Sequence, residues 1–188
     1  MKKIILSLTL TIAIAFVATA ETAKTLKVGD TAPAFKIKNT SGKEIDLAKL
    51  SDKGPVLVRL TCGCLGCDRE LPYFQALHEA YKKDGIRLVA IFAEPDEKFA
   101  KYAKSKQLKM QYALDPKRNS WKTFGTKTMP SNFLIGKGGK VVAISKGCDP
   151  SGLIARNLGD KTATLLNTAK VDIKTQVDKN KKPIIQKK

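Results

Sequence analysis

Pro55-Val56-Leu57-Val58-Arg59-Leu60-Thr61-Cys62-Gly63-Cys64-Leu65-Gly66-Cys67 joins an apolar run to three of the chain's four cysteines. The run after Gly54 is short and β-branched, as a central strand requires. Beyond the cysteines, Leu71, Phe74, Leu77 and Tyr81 recur at three and four residues, the pattern of a helix with one buried face. That helix is expected from about Cys64 to Lys82, with Pro72 disturbing its first turns. Cys64-Leu65-Gly66-Cys67 therefore lies at a strand-to-helix junction. A helix N-terminus offers unpaired N–H groups and partial positive charge, and both favour a thiolate. Cys62 extends the pattern to Cys-x-Cys-x-x-Cys, which suits thiol–disulfide chemistry and also admits a soft metal.

Working outward, Phe35–Lys38 and Glu44–Leu47 alternate apolar and polar residues around Asn39-Thr40-Ser41-Gly42-Lys43 and predict a hairpin. Arg87–Phe92 reads as a second buried strand and Glu97–Lys106 as a helix. Tyr112–Leu114 is a short strand and Ser120–Phe124 a helical turn. Asn132–Ile135 and Val141–Ile144 flank Gly136-Lys137-Gly138-Gly139, another hairpin. Asp149-Pro150 is a good cap and first-position pair for a last helix reaching about Thr168. Strands alternating with helices and closing in a hairpin predict an α/β sandwich around a mixed sheet.

The termini carry different signals. Lys2 and Lys3, an apolar stretch from Ile4 to Val17, and Ala18-Thr19-Ala20 resemble a secretory signal, with cleavage expected after Ala20. The stretch is at the lower edge of spanning length, so a membrane anchor is the less favoured reading. A periplasmic or secreted location follows. Removing 20 of 188 residues leaves 168, enough for one domain, expected over residues 26–168. From Ala169 the chain is lysine-rich, with seven Lys and two Asp over residues 170–188, and a disordered basic tail over 169–188 is expected. Net charge is +18, or +16 without Lys2 and Lys3. Export and the lack of an aromatic-basic stripe argue against nucleic acid, leaving a soluble lysine-rich surface with weak attraction to membrane headgroups. In an oxidising compartment four cysteines suggest disulfides before metal.

Several segments, taken in order, resemble the thioredoxin-fold thiol–disulfide oxidoreductases of the bacterial envelope, the TlpA/ResA type. They are Val28–Phe35, Gly42–Leu47, Cys64–Pro72, Ala113–Pro116 and Gly125–Ile135, spanning about residues 26–160. The resemblance implies a thioredoxin-like three-layer sandwich, a mixed central sheet with an N-terminal β-hairpin extension. It implies protein thiols and disulfides as substrates, a membrane or periplasmic redox partner and no cofactor. Residue by residue, Cys64 stands where the family has its nucleophile and Cys67 where it has the resolving thiol. Glu70 matches a glutamate that assists proton transfer, and Pro130 a cis-proline whose neighbour, here Met129, touches substrate.

The sequence also departs from the family pattern. Gly63 replaces a tryptophan before the first cysteine, and Gly66 a proline before the second. Cys62 and Cys148 are not general features of the family. In its fold the segment holding Cys148 lies beside the proline loop, so the two are expected to form a second disulfide or a relay. The peroxiredoxins share the fold and are the alternative reading. Thr61 stands three residues before Cys64, as they require, but Leu57 occupies the place of their proline. A copper- or zinc-binding module is a third reading, although no metal site is expected.

Overall fold

The computed structural model describes residues 24–181. Strands β1 (Lys36–Lys38) and β2 (Glu44–Asp46) form the expected antiparallel hairpin. A short helix α1 (Leu47–Lys53) follows, capped by the Asp46 carboxylate accepting from Lys49 N–H. Then come β3 (Val56–Thr61), α2 (Leu65–Tyr81), β4 (Arg87–Phe92), α3 (Asp96–Lys106), β5 (Gln111–Leu114), α4 (Asn119–Thr123), β6 (Ser131–Ile135), β7 (Val141–Lys146), α5 (Leu153–Leu166) and α6 (Ile173–Lys181).

Five strands make the central sheet in the order β5-β4-β3-β6-β7. β3 runs parallel to β4, and β4 to β5, while β6 is antiparallel to both β3 and β7. The side chains of β3 and β4 alternate between two apolar layers, as a strand's two-residue period dictates. Leu57, Leu88, Ala90 and Phe92 join Leu71, Phe74, Leu77, Phe99 and Leu158 on one face. Val56, Val58, Leu60, Val89 and Ile91 meet Ile45, Leu47, Trp121, Phe124 and Phe133 on the other. Helices therefore cover both faces, which is the three-layer thioredoxin-like architecture the sequence suggested.

Two expectations are corrected. Asp149 is not the cap of the last long helix. α5 begins at Leu153 after Gly152, which takes a left-handed conformation (φ 79°) directly against the Tyr73 ring. Asp149 instead accepts from Ser151 N–H. The chain after residue 169 also holds a helix. Ile173 and Val177, four apart, put both side chains on one face of α6 and bury them in the α2–α5 layer. Val171 N–H donates to the Tyr81 hydroxyl at 2.8 Å and anchors the approach. Lys174 and Lys179 are exposed on its other faces. The leader segment, residues 1–20, is outside the described residues, as are residues 182–188.

Candidate active site

β3 ends at Thr61 in the middle of the sheet, which places the cysteine cluster at the edge where β3 and β4 both finish. Cys64 is the N-cap of α2. Its backbone is extended and its carbonyl accepts from Asp68 N–H at 2.9 Å, so the sulfur is left at the exposed helix tip. Cys67 lies in the first turn and is 2% exposed. The turn between strand and helix is clamped from β4's side. Gly63 N–H donates to Glu94 Oε1 at 2.6 Å, and a Cβ at Gly63 would stand 3.4 Å from the Tyr102 ring. The small residue thus lets the turn press against α3. Asp68 accepts from Tyr102 Oη at 3.1 Å and from Lys106 Nζ at 2.7 Å, fixing the first turn of α2 to the same helix.

Three sulfurs converge. Cys62 Sγ donates to Cys64 Sγ at 2.7 Å and lies 3.3 Å from Cys67 Sγ. All three lie within 4.8 Å of one another, a donor set that would also suit a soft cation. Burial opposes ionisation of Cys64, yet its thiol is held below the ordinary value. The Cys62 sulfur, the Cys67 N–H and side chain and the Gly66 N–H all favour its thiolate. Cys62 is pushed the other way, first by burial and then by its bond to Cys64. The cluster therefore concentrates charge on the one exposed sulfur of the three.

Cys148 follows β7 and is exposed. Its sulfur sits 3.2 Å from where a Cβ on Gly66 would lie, so glycine at 66 leaves room for it. Burial, and then the charge of Cys67, push its thiol up to about 11. All four cysteines are free thiols. Cys62 makes its contacts with Cys64 and Cys67, and Cys148 borders Cys67 and Gly66.

Glu70 is fully buried, one turn below the cysteines. Both its oxygens are engaged: Oε2 accepts from Arg59 at 2.9 Å, and Oε1 accepts from Asp149 N–H at 2.9 Å. Arg59 also donates to Asn132 Oδ1 at 2.9 Å and lies 3.9 Å from the centre of the Phe74 ring. Asn132 Nδ2 continues the chain to Ser145 Oγ at 3.1 Å. This polar ladder joins α2, β3, β6 and β7 and ties the Cys148 loop to the active-site helix.

The Met129–Pro130 bond is cis, as the resemblance implied. Pro130 C=O accepts from Gly147 N–H at 2.9 Å, so the proline loop and the Cys148 loop are one unit. Trp121 Nε1 and Ser131 Oγ both donate to Thr128 C=O and hold that loop from beneath. Trp121 is thus a core residue. The Thr61 hydroxyl is directed at the Cys62 carbonyl, 3.5 Å away. The residues that sequence reasoning missed are Glu94, Tyr102 and Asn132. Of these, only Glu94 carried a signal, an acid just beyond a buried strand.

The model of the AhpC/TSA family matches residues 28–144. A thiol-disulfide oxidoreductase ResA from Bacillus thuringiensis subsp. konkukian is 34% identical over 123 residues, 65% of this chain and 71% of that protein. Among solved structures, a proposed thiol:disulfide interchange protein DsbE from Chlorobium tepidum superposes with a TM-score of 0.69 at 25% identity, over 76% of this chain and 99% of that one. Peroxidoxin BcpB from Mycobacterium tuberculosis shares the fold at 23% identity, with a TM-score of 0.60 over 76% of this chain and 97% of that one.

Proposed function

This chain belongs to the AhpC/TSA family, and on that premise we propose that it is a thiol–disulfide oxidoreductase with Cys64 as nucleophile and Cys67 as resolving thiol. The observation that carries the reading is the asymmetry of the pair. Cys64 is exposed at the helix tip with its thiol held low, while Cys67 is buried one turn behind it. A nucleophile must meet substrate as a thiolate, and a resolving thiol must stay out of reach until the mixed disulfide forms.

The Cys64 thiolate attacks one sulfur of a substrate disulfide. The new bond joins Cys64 to that sulfur, and the other substrate sulfur leaves with the electron pair and takes up a proton. Cys67, having lost its proton, then attacks Cys64 Sγ. The Cys64–Cys67 bond forms and the second substrate thiolate departs. Two electrons and two protons pass to the substrate, and the steps reverse when the protein is the oxidant.

Met129 and Pro130 are the residues that would meet substrate, since the proline loop is bonded to the Cys148 loop bordering Gly66. Glu70 acts as a positioning residue that holds Asp149, and with it the Cys148 loop, to α2. A protein-thiol partner outside the cytoplasm fits the leader-like segment at residues 1–20. Among the described residues no helix is long and apolar enough to cross a membrane.

Reduction of insulin disulfides, run beside consumption of hydrogen peroxide, tests the proposal. The account expects insulin reduction that Cys64→Ser abolishes, with little peroxide turnover. Peroxide consumption without disulfide exchange would replace it with the peroxidase reading.

A further inference from the structure

We propose that Cys62 is a second resolving thiol, able to complete the exchange on Cys64 in place of Cys67. The inference rests on the reading of Cys64 as nucleophile and adds a role for a cysteine which that reading leaves idle. Cys62 Sγ is 2.7 Å from Cys64 Sγ, closer than a van der Waals contact, and 3.3 Å from Cys67 Sγ. The sulfur therefore reaches both members of the dithiol. Its place is fixed from two sides. Thr61 before it is buried at the end of β3. Gly63 after it is bonded to Glu94 at 2.6 Å and packed under Tyr102.

Cys62 is half-buried and its thiol is held protonated by burial and by the neighbouring Cys64 sulfur, so it does not compete for the first attack. Once Cys64 is tied into a mixed disulfide, it carries no negative charge, and of the restraints on Cys62 (burial, Cys64 and Cys67) the one set by Cys64 is gone. The released substrate thiolate or water then takes the Cys62 proton. Cys62 attacks Cys64 Sγ, the Cys62–Cys64 bond forms, the Cys64–substrate bond breaks, and the electron pair leaves on the substrate sulfur. The balance is that of the Cys67 route: one substrate disulfide becomes two thiols and one protein disulfide forms.

The test uses the full chain carrying Cys148→Ser as parent, reduced, freed of other thiols, and given one equivalent of oxidised glutathione. Glutathione release is counted and the chain's mass measured after acid quench. Adding Cys67→Ser leaves Cys62 and Cys64 as the thiols. The proposal expects two glutathione molecules released per disulfide, no adduct, and a disulfide mapped to the peptide holding both cysteines. Adding Cys62→Ser as well should stop the reaction at one glutathione released and one held on Cys64. Cys67→Ala should behave as Cys67→Ser, which guards against a fault in folding from the serine. A stable Cys64 adduct already in the Cys67→Ser chain, with Cys62 still a free thiol, overturns the proposal and leaves the function standing. A parent that never exchanges overturns both.

Discussion

Replacing Glu70 by Gln should cost the fold about 3–5 kcal/mol, the usual penalty for removing one partner of a buried ion pair. Both side chains of the Arg59–Glu70 pair are 1% exposed, so water cannot take over the lost charge. Glutamine is nearly the same shape but presents one oxygen where glutamate presents two. Glu70 currently accepts from two donors, Arg59 and Asp149 N–H. In the variant one of those donors must face an NH2 group, and in either orientation the guanidinium loses its charged partner and is left among neutral groups such as Asn132 and the Phe74 ring. For a folded unit of this size each kcal/mol lowers the melting temperature by about 2–4 °C, so a fall of about 6–20 °C is expected. Thermal unfolding followed by circular dichroism reads it directly. Adding Arg59→Met should restore part of the loss, because it removes the stranded cation. A fall of less than about 3 °C, or a double variant as unstable as the sum of its two changes, would refute the reasoning.

Iodoacetamide at neutral pH should modify Cys64 well before Cys148 although both are exposed, because the Cys148 thiol is pushed up to about 11; equal rates in a mass-spectrometric time course would contradict this. The pH profile of Cys64 alkylation should have its midpoint below the ordinary thiol value of about 8.5. Its folded value is depressed, so the stability it contributes is present above the unfolded value and is lost as pH falls through the folded one. Gly66→Ala should crowd the Cys148 sulfur, which lies 3.2 Å from the new Cβ, and raise Cys148 alkylation while the melting temperature changes little. Ile173→Ala should cost about 2–5 kcal/mol in denaturant unfolding, since that side chain is 1% exposed in the α2–α5 layer; a loss near zero would mean that α6 does not dock.

How far the sequence carried depended on the range of the forces involved. β3, β4 and α2 were legible because local apolar period fixes them, and the cysteine cluster was legible because its residues are contiguous. α1 was not, since seven residues are too few to show a periodic face and its cap, Asp46, was absorbed into the hairpin reading. α6 was hidden by composition: two apolar residues four apart are a faint signal inside a lysine run, and only the surface of α2 gives them a place to bury. The Arg59–Glu70 pair joins a strand to a helix eleven positions on, a separation that no period reveals. The same holds for Cys62. Two residues before Cys64 in sequence, it was expected to form a second disulfide or a relay with Cys148, and its contact with Cys64 and Cys67 comes from the turn clamped by Glu94.

The identity of the attacking sulfur is the centre of the account. A chain carrying Cys62→Ser and Cys67→Ser retains Cys64 and Cys148 as its thiols. Such a chain, mixed at neutral pH with a peptide disulfide and digested without reduction, shows which cysteine was attached. The account predicts the adduct on the peptide holding Cys64. An adduct on Cys148 with Cys64 unmodified would contradict it.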